Sequence, residues 1–318
     1  MELYQRIENA YQRINQHIQK TPFEKSIGLS QICESEVFFK CEHLQTTGSF
    51  KYRGATNKIM SLPESDRQKG IITASSGNHG MASTLAAQKL NTQATIYAPA
   101  SASPMKLNSI EKMGGIVRKV DGDCVDGETA ARAAAAKEGK EYISPYNDLE
   151  IIAGQGTLGL EISQQCKDLD AVFVSVGGGG LISGVGGYLK HFNPNIQVVG
   201  CWPENSVAMY QSIQAGKIVE APEIETISDG TAGPVEPGSI TFPFCQQFID
   251  QHALVTEAEI CAAMRLIAEH ERWMVEGAAG VALAGLLKKS PQFKNQKVGV
   301  VLCGRNILLE KYIASITK

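Results

Sequence analysis

Short apolar runs alternate with helix-like patterns along almost the whole chain, and this alternation is the feature that most constrains the fold. Short apolar runs bounded by glycine or polar turns are typical of buried strands. Their alternation with helical patterns predicts an α/β fold in which parallel strands are covered by helices. The predicted strands are 37–40, 70–74, 95–98, 116–120, 171–176, 196–201 and 297–302, and the predicted helices are 1–20, 80–90, 103–113, 126–138, 155–165, 257–271, 278–289 and one at the C-terminus.

The balance of charged and apolar residues limits the classes of function. The chain has 318 residues, of which 43% are hydrophobic, with 30 basic and 33 acidic residues. That length is sufficient for two domains with a large core, and the charge balance suggests neither nucleic acid nor an anionic membrane as a partner. Residues 1–20 have the spacing of an amphipathic helix rather than a signal peptide, and no apolar run reaches the length of a membrane span. We therefore expect a cytoplasmic protein with no membrane partner.

The cysteines support the same expectation. The 8 cysteines are scattered, without a C-x-x-C motif, and only Cys41 and His43 form a close Cys/His pair. Nothing near that pair completes a metal site. We expect reduced thiols, and neither a disulfide framework nor a zinc site.

A lysine lies in the most informative stretch of the chain. Residues 46–55 read Thr-Thr-Gly-Ser-Phe-Lys-Tyr-Arg-Gly-Ala, and a helix-like pattern follows Lys51. Near a helix start the local potential is positive, which disfavours an ammonium group and favours a nucleophilic amine. The alternative is an ordinary solvated lysine at a helix end.

A polar turn follows the second predicted strand. Residues 75–80 read Ser-Ser-Gly-Asn-His-Gly and lead into a helix of small residues. The backbone donors of such a helix start, with the side chains of Ser75, Ser76, Asn78 and His79, favour a carboxylate or a phosphate. A capped helix start without a ligand explains the serine and asparagine equally well.

Four glycines follow the clearest buried strand, at 171–176. The run from Gly177 to Gly180 lets the backbone wrap an anion with several N–H donors, as a phosphate group requires. A nucleotide site competes, but neither a dinucleotide fingerprint nor a G-x-x-x-x-G-K-[ST] motif is evident. A tight turn alone rarely needs four consecutive glycines, since each costs conformational entropy on folding.

The last predicted strand runs into Cys303. A parallel strand delivers the following side chains to the carboxyl edge of its sheet, which is where ligands bind in open α/β sheets. A buried structural thiol is the alternative, because free cysteine is so often part of a core.

Together these stretches resemble one family. The chain is similar to the fold type II pyridoxal-phosphate enzymes, and within them to the threonine/serine dehydratases and serine racemases. The similarity covers nearly the whole chain in the expected order. It is carried by 49–55 (Ser-Phe-Lys-Tyr-Arg-Gly-Ala), 75–80, 153–157 (Ala-Gly-Gln-Gly-Thr), the glycine run and the Cys303-Gly304 pair.

The resemblance implies a role for each site residue. Lys51 would hold the aldehyde of pyridoxal 5'-phosphate, with Phe50 against the ring and Cys303 facing the pyridine nitrogen. The cofactor would also be bound by Asn78 at its phenolic oxygen and by Gly177, Gly178, Gly179 and Gly180 at its phosphate, with Gly230 and Glu276 nearby; the substrate carboxylate would be bound by Ser75, Asn78 and His79, in a pocket that includes Tyr146.

The resemblance also implies a reaction. We expect a pyridoxal-phosphate dependent dehydratase that converts a β-hydroxy amino acid such as L-threonine or L-serine to a 2-oxo acid and ammonia, with Lys51 moving the α-proton. Serine racemases exchange that proton through a serine that matches Ser76, so racemisation is an alternative. A β-replacement enzyme of the same fold is a second alternative, and a ligand-binding protein without catalysis is a third. Substrate choice among threonine, serine, 3-hydroxyaspartate and related amino acids stays open.

The metal site of the racemases is not expected here. Their glutamate and aspartate ligands correspond to Trp202 and Ala208, neither of which ligates a hard cation. Glu204 lies close by in the sequence and offers a site of altered geometry. We predict no bound metal.

The resemblance implies two open parallel-sheet α/β domains with the cofactor in the cleft between them. The large cofactor-binding domain would comprise 1–61 and 147–318, and the small domain, 62–146, would be inserted in it. Closure of the small domain would exclude water. Members of the family are commonly dimers or tetramers, so we expect a homo-oligomer.

Overall fold

The computed structural model describes residues 1–317, and within that range ten strands form two sheets. In chain order the strands are β1 (Phe23–Lys25), β2 (Glu36–Lys40), β3 (Ile71–Ala74), β4 (Ala94–Pro99), β5 (Ile116–Val120), β6 (Glu141–Tyr142), β7 (Ala171–Ser175), β8 (Gln197–Pro203), β9 (Gln251–Val255) and β10 (Lys297–Val301). The larger sheet has the order β1-β2-β10-β7-β8-β9, and the smaller has the order β5-β4-β3-β6. All neighbours pair in parallel except β1 and β2. The α/β fold with parallel sheets is therefore confirmed.

The helices cover both sheets. In chain order they are α1 (Leu3–Ile14), α2 (Ile27–Cys33), α3 (Lys51–Ser61), α4 (Glu64–Gln68), α5 (Asn78–Lys89), α6 (Pro104–Lys112), α7 (Cys124–Glu138), α8 (Leu149–Gln165), α9 (Gly180–Phe192), α10 (Ala208–Ala215), α11 (Thr241–Phe248), α12 (Glu257–Glu271), α13 (Gly277–Lys289) and α14 (Leu309–Ile316). No helix in the described part of the chain is long and apolar enough to cross a membrane.

The core of the larger sheet lies around β7, whose five residues are all buried. A parallel strand covered on both faces must be apolar throughout, which explains the unbroken run Ala-Val-Phe-Val. Helices α8 and α9 pack against each other, and α8 also packs against α3. Glycine allows the second contact, because a Cβ on Gly154 would lie 2.6 Å from the Cα of Gly54. Helix α3, which begins with Lys51, is thus fixed against the core.

A network of four buried charges holds α3 on the side away from the cavity. The guanidinium of Arg53 donates to the carboxylates of Glu42 and Glu161 at 2.8 Å, and the Lys40 ammonium donates to Glu161 at 2.6 Å. The side chains are fully buried. Breaking such a pair by removing one partner leaves an uncompensated charge and costs about 3–5 kcal/mol. Because Arg53 lies two residues after Lys51, the network fixes the position of the start of α3.

Most predicted elements are confirmed, with two corrections at their ends. Strand β5 and helix α12 have the predicted bounds. Helix α8 begins at Leu149 rather than 155, because the carboxylate of Asp148 accepts from the backbone N–H groups of Glu150 and Ile151 and caps it. Helix α1 ends at Ile14, short of the predicted residue 20. Elements that the sequence did not indicate are β1, α2, α4, β6, α10, α11 and β9.

Two further expectations concern the chain as a whole. Among the described residues, no two cysteines form a disulfide. The smaller sheet is formed by segments between Ile71 and Tyr142, which lie within the predicted inserted domain 62–146. The domain boundaries themselves stay a prediction.

Candidate active site

A cavity of about 990 Å³ lies between the two sheets, at the carboxyl ends of β3, β7 and β10. Ligands bind at this edge in open α/β sheets. Every site residue that the sequence suggested lines the cavity: Phe50, Lys51, Ser75, Ser76, Asn78, His79, Tyr146, Gly177, Gly178, Gly179, Gly180, Gly230, Glu276 and Cys303. Segments far apart in the chain therefore meet at one place.

Lys51 is the first residue of α3, as the sequence predicted. Its Nζ donates to the carbonyl oxygen of Pro145 at 2.7 Å and lies 5.2 Å from the centre of the Phe50 ring. Burial lowers the pKa of Lys51 to about 8, although Cys303 and Glu276 act in the opposite direction. The expected loss of ammonium character is present, and its main cause is burial rather than the helix terminus. A lysine with this pKa supplies a useful fraction of free amine near neutral pH.

The turn after β3 forms the start of α5, which begins at Asn78. The backbone N–H of Gly77 donates to the hydroxyl of Ser75 at 3.1 Å. The ring of His79 is buried, and its Nε2 lies 3.1 Å from the carbonyl oxygen of Ile143. A carbonyl only accepts, so Nε2 carries the proton. Burial, followed by the charge of Lys51, lowers the pKa of His79 to about 3, so its imidazole is neutral.

Asn78 and Glu276 meet in the cavity. The Asn78 Nδ2 lies 2.8 Å and 3.0 Å from the two carboxylate oxygens of Glu276. The backbone N–H of Asn306 also donates to Glu276, at 3.0 Å. Burial raises the pKa of Glu276 to about 7, even though both hydrogen bonds oppose the rise. Glu276 is therefore an acidic group of the cavity that titrates near neutral pH.

The glycine run forms a crowded cradle between β7 and α9. A Cβ on Gly177 would lie 2.9 Å from the Cα of Thr231, and one on Gly178 would lie 2.5 Å from the ring of Tyr146. Gly179 has φ +84°, a left-handed conformation that favours glycine. The run leads directly into the N-terminus of α9, whose free N–H groups favour an anion.

Cys303 lies just beyond β10 and is buried. The hydroxyl of Ser175, at the end of β7, donates to its Sγ at 3.6 Å. Burial, with the neighbouring Glu276, raises the pKa of Cys303, so the thiol is neutral. The carboxyl edge of the sheet thus presents an uncharged group to the cavity.

The cavity wall around Tyr146 contains a second set of charges, Arg132 and Glu236, which the sequence did not indicate. The Tyr146 hydroxyl accepts from the backbone N–H of Glu236 at 2.9 Å. The Glu236 carboxylate lies 2.8 Å from the Asn147 amide and 2.9 Å from Arg132. Burial raises the pKa of Glu236. In the sequence, this region was indicated by Tyr146 alone.

Asn306 was also missed. It lies three residues after Cys303, and its side-chain amide joins Asn78 to the loop that precedes Lys51. The polar residues after the Cys303-Gly304 turn were the available signal, since a strand that delivers one side chain to the sheet edge delivers its followers there too.

The positions aligned with the racemase metal ligands, Trp202 and Ala208, are buried and carry side chains that do not ligate a hard cation. Trp202 is fully buried and packs against Tyr210 and His252. The Glu204 carboxylate lies 3.9 Å from the Lys288 ammonium. Among the described residues, no group of three or more His, Cys, Asp and Glu side chains is placed to hold a metal ion.

The residues of the cavity fit pyridoxal phosphate. Lys51 offers an amine of lowered pKa to an aldehyde, and the glycine cradle offers backbone donors to a phosphate. The neutral thiol of Cys303 suits an unprotonated pyridine nitrogen. The volume of about 990 Å³ holds the cofactor and a small amino acid together.

Comparisons with known proteins agree with this fit. A family model described as "Pyridoxal-phosphate dependent enzyme" matches residues 14–304. The chain is 39% identical over 302 residues to a "Putative threonine dehydratase" from Sinorhizobium fredii, covering 95% of this chain and 91% of that protein. It is 38% identical over 307 residues to a "Serine racemase" from Dictyostelium discoideum, covering 95% and 94%. The structure of threonine deaminase isoform 2 from Solanum lycopersicum is similar with a TM-score of 0.95 at 33% identity, covering 99% of this chain and 87% of that one.

Proposed function

Because the chain belongs to the family of pyridoxal-phosphate dependent enzymes, we propose that it is a dehydratase that converts a β-hydroxy amino acid such as L-threonine or L-serine to a 2-oxo acid and ammonia. One observation carries this proposal: Lys51, with a pKa of about 8, lies in the same cavity as two helix N-termini that attract anions. An amine that moves a proton, a phosphate site and a carboxylate site are the parts that such a reaction requires.

Each residue of the cavity has a separate role in binding the cofactor or in moving the proton. Pyridoxal phosphate, when bound, supplies the electron sink that makes the α-proton of an amino acid removable. The amine of Lys51 would hold the cofactor and move the α-proton. The glycine run from Gly177 to Gly180 would bind the phosphate, Phe50 would pack against the ring, and the neutral thiol of Cys303 would leave the ring nitrogen unprotonated. The segment around Gly230 closes the cavity on the side of Glu276.

The substrate carboxylate binds at the start of α5. Ser75 and Asn78 provide donors there, while the neutral ring of His79 is engaged with the Ile143 carbonyl. The contribution of His79 therefore comes from its backbone N–H group rather than from a positive side chain. Tyr146, held by the Glu236 backbone, limits the size of the pocket. A small amino acid with one carboxylate suits this arrangement, since Arg132 is already paired with Glu236.

Serine racemisation is the second candidate, favoured by one observation. Ser76 lines the same cavity as Lys51, so two proton carriers are available to one substrate. A β-replacement reaction would use the same residues with an added nucleophile. The proposal includes a cytoplasmic homo-oligomer without nucleic-acid or membrane partners, as the charge balance and the scattered cysteines favour.

Keto-acid formation tests the proposal. Purified protein loaded with pyridoxal phosphate is assayed against L-threonine, L-serine and other β-hydroxy amino acids, with chiral analysis of the remaining substrate. Keto acid without the opposite enantiomer supports a dehydratase. D-serine with little keto acid supports the racemase, and a product that requires an added thiol supports β-replacement.

Two variants assign the proton carriers. Lys51→Ala should abolish turnover and the visible absorbance of the lysine-bound cofactor. Ser76→Ala should suppress any formation of D-serine from L-serine more than it suppresses keto acid. Equal losses of both products would count against a racemisation role for Ser76, and turnover by Lys51→Ala would overturn the assignment of Lys51.

A further inference from the structure

Asn306 connects three segments of the active site through one side chain. Its Nδ2 donates to the backbone carbonyl of Thr47 at 2.8 Å and to the Oδ1 of Asn78 at 2.6 Å. Its backbone N–H donates to the carboxylate of Glu276 at 3.0 Å. Both hydrogens of the Asn306 amide are therefore used, one for each partner.

These contacts fix the orientation of the Asn78 amide by a chain of donors and acceptors. The Thr47 carbonyl only accepts, so the Asn306 atom that faces it must be Nδ2. That same Nδ2 needs an acceptor on its other side, so Asn78 presents Oδ1 to it. The Nδ2 of Asn78 then faces the carboxylate of Glu276 at 2.8 Å. Each orientation follows from the one before it.

This series of hydrogen bonds begins at the backbone of Thr47, which has an unfavourable conformation. Thr47 has φ +69°, a left-handed conformation that β-branched residues rarely adopt. The loop after it is paired with the segment that contains Asn306: the Phe50 N–H donates to the Cys303 carbonyl at 3.1 Å, and the Arg305 N–H donates to the Gly48 carbonyl at 2.9 Å. The loop before the catalytic lysine and the amide of Asn78 are therefore held by the same segment.

The Asn78 Nδ2 carries two hydrogens, and one of them suffices for the two oxygens of Glu276. The other is then free for a ligand in the cavity, which Asn78 lines. We propose that Asn306 is a positioning residue, which turns the amide of Asn78 so that its N–H group, rather than its oxygen, meets the phenolic oxygen of pyridoxal phosphate. The inference rests on the proposed function in one respect, namely the cofactor contact of Asn78.

A change of one atom tests this role. Asn306→Asp keeps the shape of the side chain but replaces the donor with an acceptor. The amide of Asn78 then turns over to donate to the new carboxylate, and its oxygen faces Glu276 and the cofactor. The dissociation constant of pyridoxal phosphate, measured by equilibrium dialysis of the loaded protein, should rise at least tenfold. The matched control is Asn195→Asp, at an exposed position, which should leave the constant unchanged.

A double variant separates positioning from mere stability. Adding Glu276→Gln to Asn306→Asp supplies an amide donor to the turned-over oxygen of Asn78, so every partner of that amide is satisfied with reversed polarity. The melting temperature of the cofactor-free protein should recover part of what Asn306→Asp lost, while the cofactor dissociation constant stays high. Recovery of both together would overturn the proposal, as would a constant within twofold of wild type in the single variant. Neither readout needs turnover, so a wild-type protein that binds the cofactor but forms no keto acid would refute the proposed reaction alone.

Discussion

The lowered pKa of Lys51 predicts how fast the cofactor-free protein captures pyridoxal phosphate at each pH. Only the free amine attacks an aldehyde, so the rate follows the fraction of Lys51 that has lost its proton. Burial brings the pKa of this amine to about 8, against an ordinary value of 10.5. Capture should therefore become fast well below the pH at which an exposed lysine reacts.

The magnitude follows from the two pKa values. At pH 7.5, an amine with a pKa of about 8 is about 24% deprotonated, whereas one with a pKa of 10.5 is about 0.1% deprotonated. The advantage is thus about 240-fold at that pH. This ratio of the two deprotonated fractions stays near its maximum below pH 8, falls about tenfold per pH unit between 8 and 10.5, and levels off above that range.

The assay mixes cofactor-free protein with pyridoxal phosphate and follows the visible absorbance of the bound cofactor by stopped flow. Pyridoxal phosphate has ionisations of its own, so the same series is recorded with Nα-acetyl-lysine. The ratio of the two rate constants cancels the titration of the cofactor and leaves that of Lys51. The series runs from pH 6 to pH 10.5.

A ratio that does not change between pH 7 and pH 10 would refute the reasoning, because it would mean that Lys51 titrates like an exposed lysine. A ratio that bends near pH 8 and declines above it is the expected result. Glu276→Gln sharpens the test: Glu276 raises the pKa of Lys51, so its neutralisation should move the bend to lower pH. A bend that moves upward would contradict the assigned cause.

Three further predictions follow from the same contacts. Glu161→Gln leaves an unpaired buried charge, so the free energy of unfolding in denaturant should fall by about 3–5 kcal/mol, and a loss below about 1 kcal/mol would count against the network. Gly178→Ala sets a Cβ 2.5 Å from the Tyr146 ring and should weaken cofactor binding by about 5- to 150-fold in dialysis, whereas Gly127→Ala, with its nearest neighbour at 3.9 Å, should not weaken it. The pKa of Glu276 is about 7 in the folded protein against 4.5 when unperturbed, so its stabilisation is full below about pH 4.5 and is lost as pH rises through about 7; the stability difference between wild type and Glu276→Gln should show this fall, and a difference that rises with pH would contradict it.

The helices and strands could be predicted where each is long enough for the spacing of its apolar residues to be visible in the sequence. Helix α12 spans several turns with apolar residues on one face, and β5 is bounded by a glycine turn, so both sets of bounds are correct. Strands β1 and β6 have 3 and 2 residues, too few for a pattern to be visible. Helix α11 contains Pro243 in its first turn. Proline lowers the helix propensity of the segment, so the sequence does not indicate a helix, although the first turn of a helix tolerates proline.

The site could be predicted where its chemistry is contiguous in the chain. The lysine segment, the turn at 75–80 and the glycine run each combine residue types that a plain turn does not need. Asn306 is indicated only by its place after the Cys303-Gly304 turn, and Glu161 has no local signature, because the roles of both depend on partners from distant segments. Glu161 is a carboxylate in an otherwise apolar stretch of α8, and only folding shows that Arg53 and Lys40 meet it. Networks of this kind are tertiary properties.

The charges around the lysine fall into two groups, and the difference between them explains how one segment combines rigidity with reactivity. Behind Lys51, the two cations and two carboxylates of the Arg53 network pair with one another in full burial, so the network fixes α3 without a net charge. In the cavity, burial leaves Lys51 with a pKa of about 8 and Glu276 with a pKa of about 7. Groups that titrate near neutral pH exchange protons readily, and they do so at a defined place only if the backbone behind them is rigid. The paired charges on one side of α3 keep the backbone rigid. The less completely paired Lys51 and Glu276 on the other side exchange protons near neutral pH.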